Sequence, residues 1–290
     1  MERFELKEYL LCMSGGNDSV ALIQWAIDQG LSFDILYNDT GWAKDGWLER
    51  VNGIAHRTAP YGATVYRTIS EGMEALVRRK KGWPMPASSM QFCTQALKEI
   101  PTKDFLEFHD PDYEVTCVNG VRREESRNRA DAPEYVLESD KHAGRELWSP
   151  LVRVLEPERD LLIVKFGMVV LPHQSDECWP CTCANKQDLE RLSSDVQRVD
   201  KIEVVEIDMG HTRNEKPRTM FRPYRVGGGV GIRQAVEWGC GHRGYKSTSI
   251  PEAYRFKGVA SDSASDIAYD ESTKEGREFS RQCDGGYCGS

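Results

Sequence analysis

The sequence predicts an α/β protein: a doubly wound, mainly parallel sheet with helices on both faces, plus a cysteine-bearing C-terminal region. Three observations predict it. A buried apolar run, Tyr9–Met13, passes through a glycine turn into a helical pattern. Further short apolar or β-branched runs alternate with helical stretches. Several of those runs end in polar, charged turns, the place where open parallel sheets hold their ligands.

Tyr9–Met13 has no helical stripe, and its length and flanks fit a buried strand. Ser14, Gly15, Gly16, Asn17, Asp18 and Ser19 follow, and Val20, Ala21, Ile23, Trp25, Ala26 and Ile27 then recur at helical spacing. Adjacent glycines open backbone conformations closed to residues with a Cβ and let a ligand come close. The two serines offer hydroxyls, and the helix N-terminus offers N–H groups and partial positive charge. That combination suits an anion, most naturally phosphate. No Lys follows the glycines, so this is not the common P-loop. Asp18 makes sense beside phosphate if Mg²⁺ lies between them. The structural alternative is a tight turn with capping Ser and Asp, and the complete Ser-Gly-Gly-x-Asp-Ser pattern favours the phosphate site.

SGGNDS resembles the pyrophosphate loop of the ATP pyrophosphatases, or adenine nucleotide alpha hydrolases. The resemblance implies a Rossmann-like fold of the HUP/PP-loop type, ATP as ligand and cleavage between its α- and β-phosphates.

With 290 residues the chain can form one large domain, or one domain and a smaller one. Hydrophobic residues make up 39% and charged residues 29%, the balance of a soluble globular protein. No apolar run reaches spanning length, and MERFELKEYL lacks a signal-peptide pattern, so a cytoplasmic protein without a membrane partner is expected. The net charge of −8 excludes a broad basic field for coating nucleic acid, though not a local basic cleft. Nine cysteines in such a protein point to metal, cluster or redox chemistry rather than disulfides.

Ser32–Tyr37 reads as the second strand, ending in Asn38, Asp39, Thr40 and Gly41. An Asp-Thr-Gly there can hydrogen-bond the sugar or base of a nucleotide whose phosphates lie on the first loop. NDTGW looks like the matching segment of phosphoadenylylsulfate (PAPS) reductase-like proteins. Residues 46–57 follow as a helix and 64–68 as a strand. Arg78–Lys81 is either a solvated helix end or a lid contacting charged substrate.

Pro84 and Pro86 forbid helix, so Cys93 falls early in a helix ending near Pro101, where a thiolate is stabilised. FCTQALK resembles the Trp-Cys-Cys/Thr-x-x-Leu-Lys segment of the same family. Thr94 stands where the iron–sulfur adenylylsulfate reductases have a second cysteine, which removes one of their four ligands. Residues 114–118 form the next strand. Behind it, Gly120, Arg122, Arg123, Glu124, Glu125, Ser126, Arg127 and Arg129 place guanidinium groups at a strand's carboxyl end, which suits phosphate. This segment looks like the family's Gly-x-Arg-x-x-Glu-Ser-x-x-Arg motif. Cys12 and Cys117, inside strands, read as packed core thiols.

Trp148–Leu151 resembles the family's Pro-Leu segment, residues 158–170 fit a closing helix, and the nucleotide domain is expected to span 1–172, leaving 173–290 as the cysteine-rich region. Cys178-Trp-Pro-Cys181-Thr-Cys183 can be redox-active, zinc-binding or half of an iron–sulfur site. With Cys93 it is similar to the family's cluster framework. That resemblance implies a 4Fe-4S cluster on Cys93, Cys178 and Cys181, with Cys183 as first choice for the fourth ligand and Cys240, Cys283, Cys288 or a substrate atom as others. Zn²⁺ on four cysteines is the competitor. Residues 188–199 read as a helix and 201–209 as a strand. Residues 218–225 interleave arginine with aromatics, as a packed loop or a base-stacking surface. Cys240, His242 and Lys246 are candidates for a ligand or substrate clamp. Residues 261–278 are polar, acidic and expected to be mobile. Cys288-Gly289 matches the Cys-Gly ending of PAPS reductases, whose tail cysteine is catalytic.

The resemblance spans residues 10–184, about 60% of the chain. It implies an ATP pyrophosphatase and sulfur transferase similar to the sulfur-transfer protein of DNA phosphorothioation. In that reading Asp18 holds Mg²⁺, Asp39 meets the nucleoside, and Arg122 and Arg127 take the phosphates. The partners would be a sulfur donor such as a cysteine desulfurase and a nucleic-acid or small-molecule acceptor. A sulfonucleotide reductase using Cys288 as nucleophile is the alternative, and a non-catalytic nucleotide sensor the third. Whether the chain forms a homodimer stays open.

Overall fold

The computed structural model describes residues 3–84, 91–213, 217–221 and 231–241. They divide into two compact units: residues 3–73 with 92–179, and residues 74–84 with 91, 180–213, 217–221 and 231–241. The sequence placed the change of domain after residue 172; the compact units change after Trp179, and the 74–91 segment goes with the second.

The first unit is built on a six-stranded sheet: β1 (Tyr9–Met13), β2 (Phe33–Asp39), β3 (Val65–Ile69), β4 (Thr116–Val118), β5 (Tyr135–Ser139) and β6 (Arg145–Trp148). Their spatial order is β3-β2-β1-β4-β6-β5, parallel throughout except for β5 against β6. The chain leaves β1 towards β2 and β3, then returns to β4 on the other side. The strand order therefore reverses between β1 and β4, and a crevice opens at their carboxyl ends.

The two faces follow from alternation along each strand. Leu11, Met13, Ile35, Tyr37 and Val118 pack into one core with α1 (Asn17–Asp28), α2 (Trp47–Thr58) and α6 (Glu156–Lys165). Leu10, Leu36 and Cys117 face the other way, against Leu106 and Phe105 of α5 (Ile100–His109). Burial on both faces explains why β1 reads as an unbroken apolar run. Each fully buried side chain of that run contributes about 1.5–3 kcal/mol of transfer free energy.

Three expectations are corrected. The helix carrying Cys93 does not stop near Pro101. A single α turn, α4 (Phe92–Thr94), passes into a π-helical segment, Gln95–Glu99, and on into α5. Proline lacks an N–H and crowds the carbonyl four residues back, and the wider π turn ahead of it relieves both demands. Residues 201–209 are not a strand. They belong to α8 (Val196–Met209), capped by Asp195 Oδ1 accepting from Arg198 N at 3.2 Å, with Val199, Ile202, Val205 and Glu206 buried at helical spacing. The expected helix over 188–199 is divided between α7 (Lys186–Leu192) and the start of α8. α7, α8 and α9 (Ile232–Gly239) are the described helices of the second unit besides α3 (Met73–Lys80), which begins in the first. The β5–β6 hairpin had no expectation attached. Its edge strand is mostly exposed and lacks apolar alternation, so periodicity gives no signal. Among the described residues, no helix is long and apolar enough to cross a membrane.

Candidate nucleotide site

The turn after β1 lies at the reversal point. Gly15 has φ +78°, a conformation that favours glycine. The Ser14 N–H donates to Ser19 Oγ at 3.1 Å, the two hydroxyls lie 3.0 Å apart, and Gly16 N donates to Ser14 Oγ at 3.3 Å. The carbonyls are held from behind. Trp47 Nε1 donates to Ser14 O at 3.0 Å and Arg50 Nε to Gly15 O at 2.7 Å, while Ser175 Oγ donates to Ser14 O at 3.3 Å. Trp47 and Arg50 are three apart on α2, so one helix face fixes two successive peptide planes. The N–H groups of Ser14 and Gly16 are spent on hydroxyls within the turn, while those of Gly15, Asn17, Asp18 and Ser19 donate to nothing among the described residues, and such unspent N–H groups in succession are what an anion nest offers. The helix that follows has no side-chain cap, which leaves its N-terminus to an external acceptor.

Asn17 and Asp18, both candidate ligand residues, are tied to the protein. Asn17 makes two bonds to the Leu171 backbone, at 2.8 and 2.9 Å. Asp18 Oδ1 accepts from Arg122 Nε at 2.6 Å and lies 3.7 Å from Arg159 Nη1. Arg122 is 4% exposed and also reaches Glu124 Oε2 at 3.1 Å. Gly120, at the end of β4, lies against Asp18: a Cβ there would be 2.8 Å from the Asp18 carbonyl oxygen, so only glycine lets the two loops meet. The structure thus brings together Ser14–Ser19, Gly120 and Arg122. Arg127, expected beside them, is exposed in a separate 3₁₀ turn, Arg127–Arg129. Glu125 pairs with Arg129, and burial pushes its carboxyl up to about 7 against the pull of that guanidinium.

The Asp39-Thr40-Gly41 turn is engaged differently. Asp39 pairs with Arg67, whose Nε donates to Oδ2 at 3.1 Å, and its Oδ1 accepts from Gly41 N at 2.8 Å. Thr40 binds Glu177 twice: its N–H donates to Oε1 at 3.1 Å and its hydroxyl to the backbone oxygen at 2.9 Å. Tyr37 also donates to Glu177, and burial pushes that carboxyl up to about 7.

The cysteine set is split by the division of the chain. Cys93 and Cys178 belong to the first unit, Cys181 and Cys183 to the second. Within the second unit, Cys183 N donates to Cys181 Sγ at 3.4 Å and Gln91 Nε2 to Cys183 Sγ at 3.7 Å. Among the described residues no group of three or more His, Cys, Asp or Glu side chains is arranged to hold a metal ion, and none of the described cysteines is in a disulfide. Mg²⁺ is offered one loop carboxylate, which two guanidinium groups already hold. Cys283, Cys288, His242 and Lys246, and the polar stretch 261–278, lie outside the described residues, and Cys240 is described and exposed.

Sequence reasoning missed Trp47, Arg50, Arg159 and Glu177. The i, i+3 spacing of Trp47 and Arg50 just after the second loop was available as a signal; nothing marked Arg159 or Glu177.

Comparison with known proteins gives two findings. One structural match is a phosphate complex of phosphoadenylyl-sulfate (PAPS) reductase from Candida auris, with a TM-score of 0.40 and 14% identity over 56% of this chain and 74% of that one. No curated protein matches. Residues 8–167 match the phosphoadenosine phosphosulfate reductase domain. That stretch is more than half of the chain and contains β1 to β6 with both loops of the site, and the chain belongs to the family of that domain.

Proposed function

We propose that the chain binds an adenine nucleotide by its phosphates on the Ser14–Ser19 turn and cleaves ATP between the α- and β-phosphates to adenylylate an acceptor, in the service of sulfur transfer. The observation that carries this reading is the turn itself: a complete Ser-Gly-Gly-x-Asp-Ser sequence at the reversal point, its carbonyls held by Trp47 and Arg50 and the first N–H groups of α1 not capped by a side chain. Backbone N–H groups and the α1 N-terminus would take the phosphate oxygens. Arg122 would supply charge neutralisation from a fixed position beside the turn. Most of the rate would come from positioning and preorganised electrostatics. No step is routed through an iron–sulfur cluster, or through Mg²⁺, since Asp18 is held by Arg122 and Arg159.

A second reading, reduction of a sulfonucleotide to sulfite with Cys288 as nucleophile, is favoured by one observation. Asp18 is occupied by Arg122 and Arg159 rather than open to a metal, and a sulfonucleotide needs no metal.

One experiment separates them. Anaerobically purified protein is given ATP and, separately, phosphoadenylylsulfate with a dithiol reductant, and pyrophosphate and sulfite are measured. Pyrophosphate from ATP supports the first reading, sulfite without ATP use supports the second, and neither product with bound nucleotide would leave a nucleotide-binding protein without turnover. Iron, sulfide and zinc analysis of the same sample tests the cluster.

A further inference from the structure

A cavity of about 30 Å³ lies beside the nucleotide turn, lined by Cys12, Met13, Ser14, Asn38, Lys98, Glu99, Thr102, Lys141, His142 and Glu177. Cys12, read from sequence as a core thiol, is thus a wall of this cavity, whereas Cys117 is fully buried and is not part of its lining. His142 also lines it, and its Nδ1 lies 2.8 Å from Ser139 Oγ, so its other ring nitrogen is the one not engaged there. Thiol and imidazole thus meet at one cavity, with a hydroxyl on the far ring nitrogen, the residue types of an activated nucleophile. The wall also carries Lys98 and Lys141, the latter 3.7 Å from Glu99.

We propose that Cys12, with His142 as its base and Ser139 positioning the imidazole, is a reactive thiol that accepts a sulfur atom from a small sulfur-bearing anion held by Lys98 and Lys141. Size selects the ligand. Nucleotide-sized molecules need pockets of about 300–1,000 Å³, and this cavity admits only a few atoms. A hydrogen bond from Cys117, together with the charge and hydrogen bond of His142, holds the Cys12 thiol well below the ordinary range despite burial, and the same contact pushes Cys117 up. The two thiols therefore differ in reactivity, as thiolate availability governs it. With a hydrodisulfide anion as donor, Cys12 sulfur attacks the terminal sulfur and the donor's S–S bond breaks. His142 takes the thiol proton and returns one to the product. Cys12–SH and HS–S⁻ become Cys12–S–SH and HS⁻, with atoms, charge and electrons balanced.

The inference draws on the family's sulfur chemistry but not on which nucleotide is bound, and its test contains no nucleotide. Reduced full-length protein is treated with inorganic disulfide, and each cysteine peptide is weighed for the gain of one sulfur atom, reversible by dithiothreitol. The expected result is labelling of Cys12 at least tenfold faster than Cys117, lost in Cys12→Ser and slowed about tenfold in His142→Gln, with Ser139→Ala intermediate. Iodoacetate should outpace iodoacetamide at Cys12, and Lys141→Met should erase that preference. Melting curves of each variant show that it is folded. Equal labelling of Cys12 and Cys117, or an unchanged Cys12 rate in both folded His142→Gln and Ser139→Ala, overturns the proposal and leaves a water-sized cavity.

Discussion

The turns after β1 and β2 occupy equivalent addresses at the carboxyl edge of the sheet, yet they are built for different ends. After β1, protein groups take the carbonyls of Ser14 and Gly15, and the N–H groups of Gly15, Asn17, Asp18 and Ser19 are left without a partner among the described residues. After β2, Asp39, Thr40 and Gly41 have their polar atoms engaged by Arg67, Glu177 and one another. The difference teaches that position in the fold nominates a binding loop, while the direction of its hydrogen bonds decides whether donors remain for a ligand.

Substitutions can break or sharpen this contrast. The largest effect is expected at the meeting of the β1 and β4 loops. Gly120→Ala forces a Cβ into the Asp18 backbone, and nucleotide affinity measured by calorimetry should fall beyond detection, with melting lowered by several degrees. Retained affinity would mean that the two loops do not act together.

Next is Arg122→Met. It removes the Asp18 partner and leaves a largely buried carboxylate to Arg159 alone, so we expect a cost of about 3 kcal/mol in denaturant unfolding and at least a hundredfold loss of nucleotide affinity. Asp18→Asn should cost less stability, since an amide still accepts from Arg122.

Smaller effects separate positioning from contact. Trp47→Phe and Arg50→Met each remove one carbonyl partner, worth about 1–2 kcal/mol, and should weaken nucleotide binding about tenfold while leaving the fold intact. Asp39→Asn should lower the melting temperature by a few degrees and change nucleotide affinity less than threefold. A large affinity loss there would return Asp39 to the role of nucleoside contact and dissolve the contrast.

The smallest effect on nucleotide affinity is expected at Glu125, where the change is a pH dependence of stability. Its folded pKa is raised to about 7 by burial, against the Arg129 charge and with Asp18 and Arg122 also facing it. A raised carboxyl stabilises the fold fully below its unfolded pKa and loses that contribution as pH rises through about 7. Stability should therefore fall between pH 5 and 8, by at most about 3 kcal/mol from this group. Glu125→Gln should flatten the fall in a thermal melt series.

Much of this site was legible in the sequence. The β1 turn announced itself through the complete Ser-Gly-Gly-x-Asp-Ser pattern, since a bare glycine pair reads as an ordinary tight turn, and Gly120-x-Arg122 through its likeness to the family's motif more than through glycine and arginine alone. What stayed hidden is what tertiary contact decides. Asn17 and Asp18 look like ligand groups in sequence, but their partners, Leu171, Arg122 and Arg159, are more than a hundred residues away. Residues 201–209 misled because Val204, Val205 and Ile207 favour strands locally, whereas burial of Val199, Ile202, Val205 and Glu206 fixes a helix.

The π segment at Gln95–Glu99 has a consequence for Cys93. Such a bulge amounts to one residue inserted into an α-helix, and each residue turns the chain by about 100°. The wider turn absorbs that extra residue, so the helix on either side keeps the facing it would have in an unbroken α-helix. Cys93 thus points where an uninterrupted helix leading into α5 would aim it, and a protein shortened by one position between 95 and 99 should keep both its thermal melt and the alkylation rate of that sulfur.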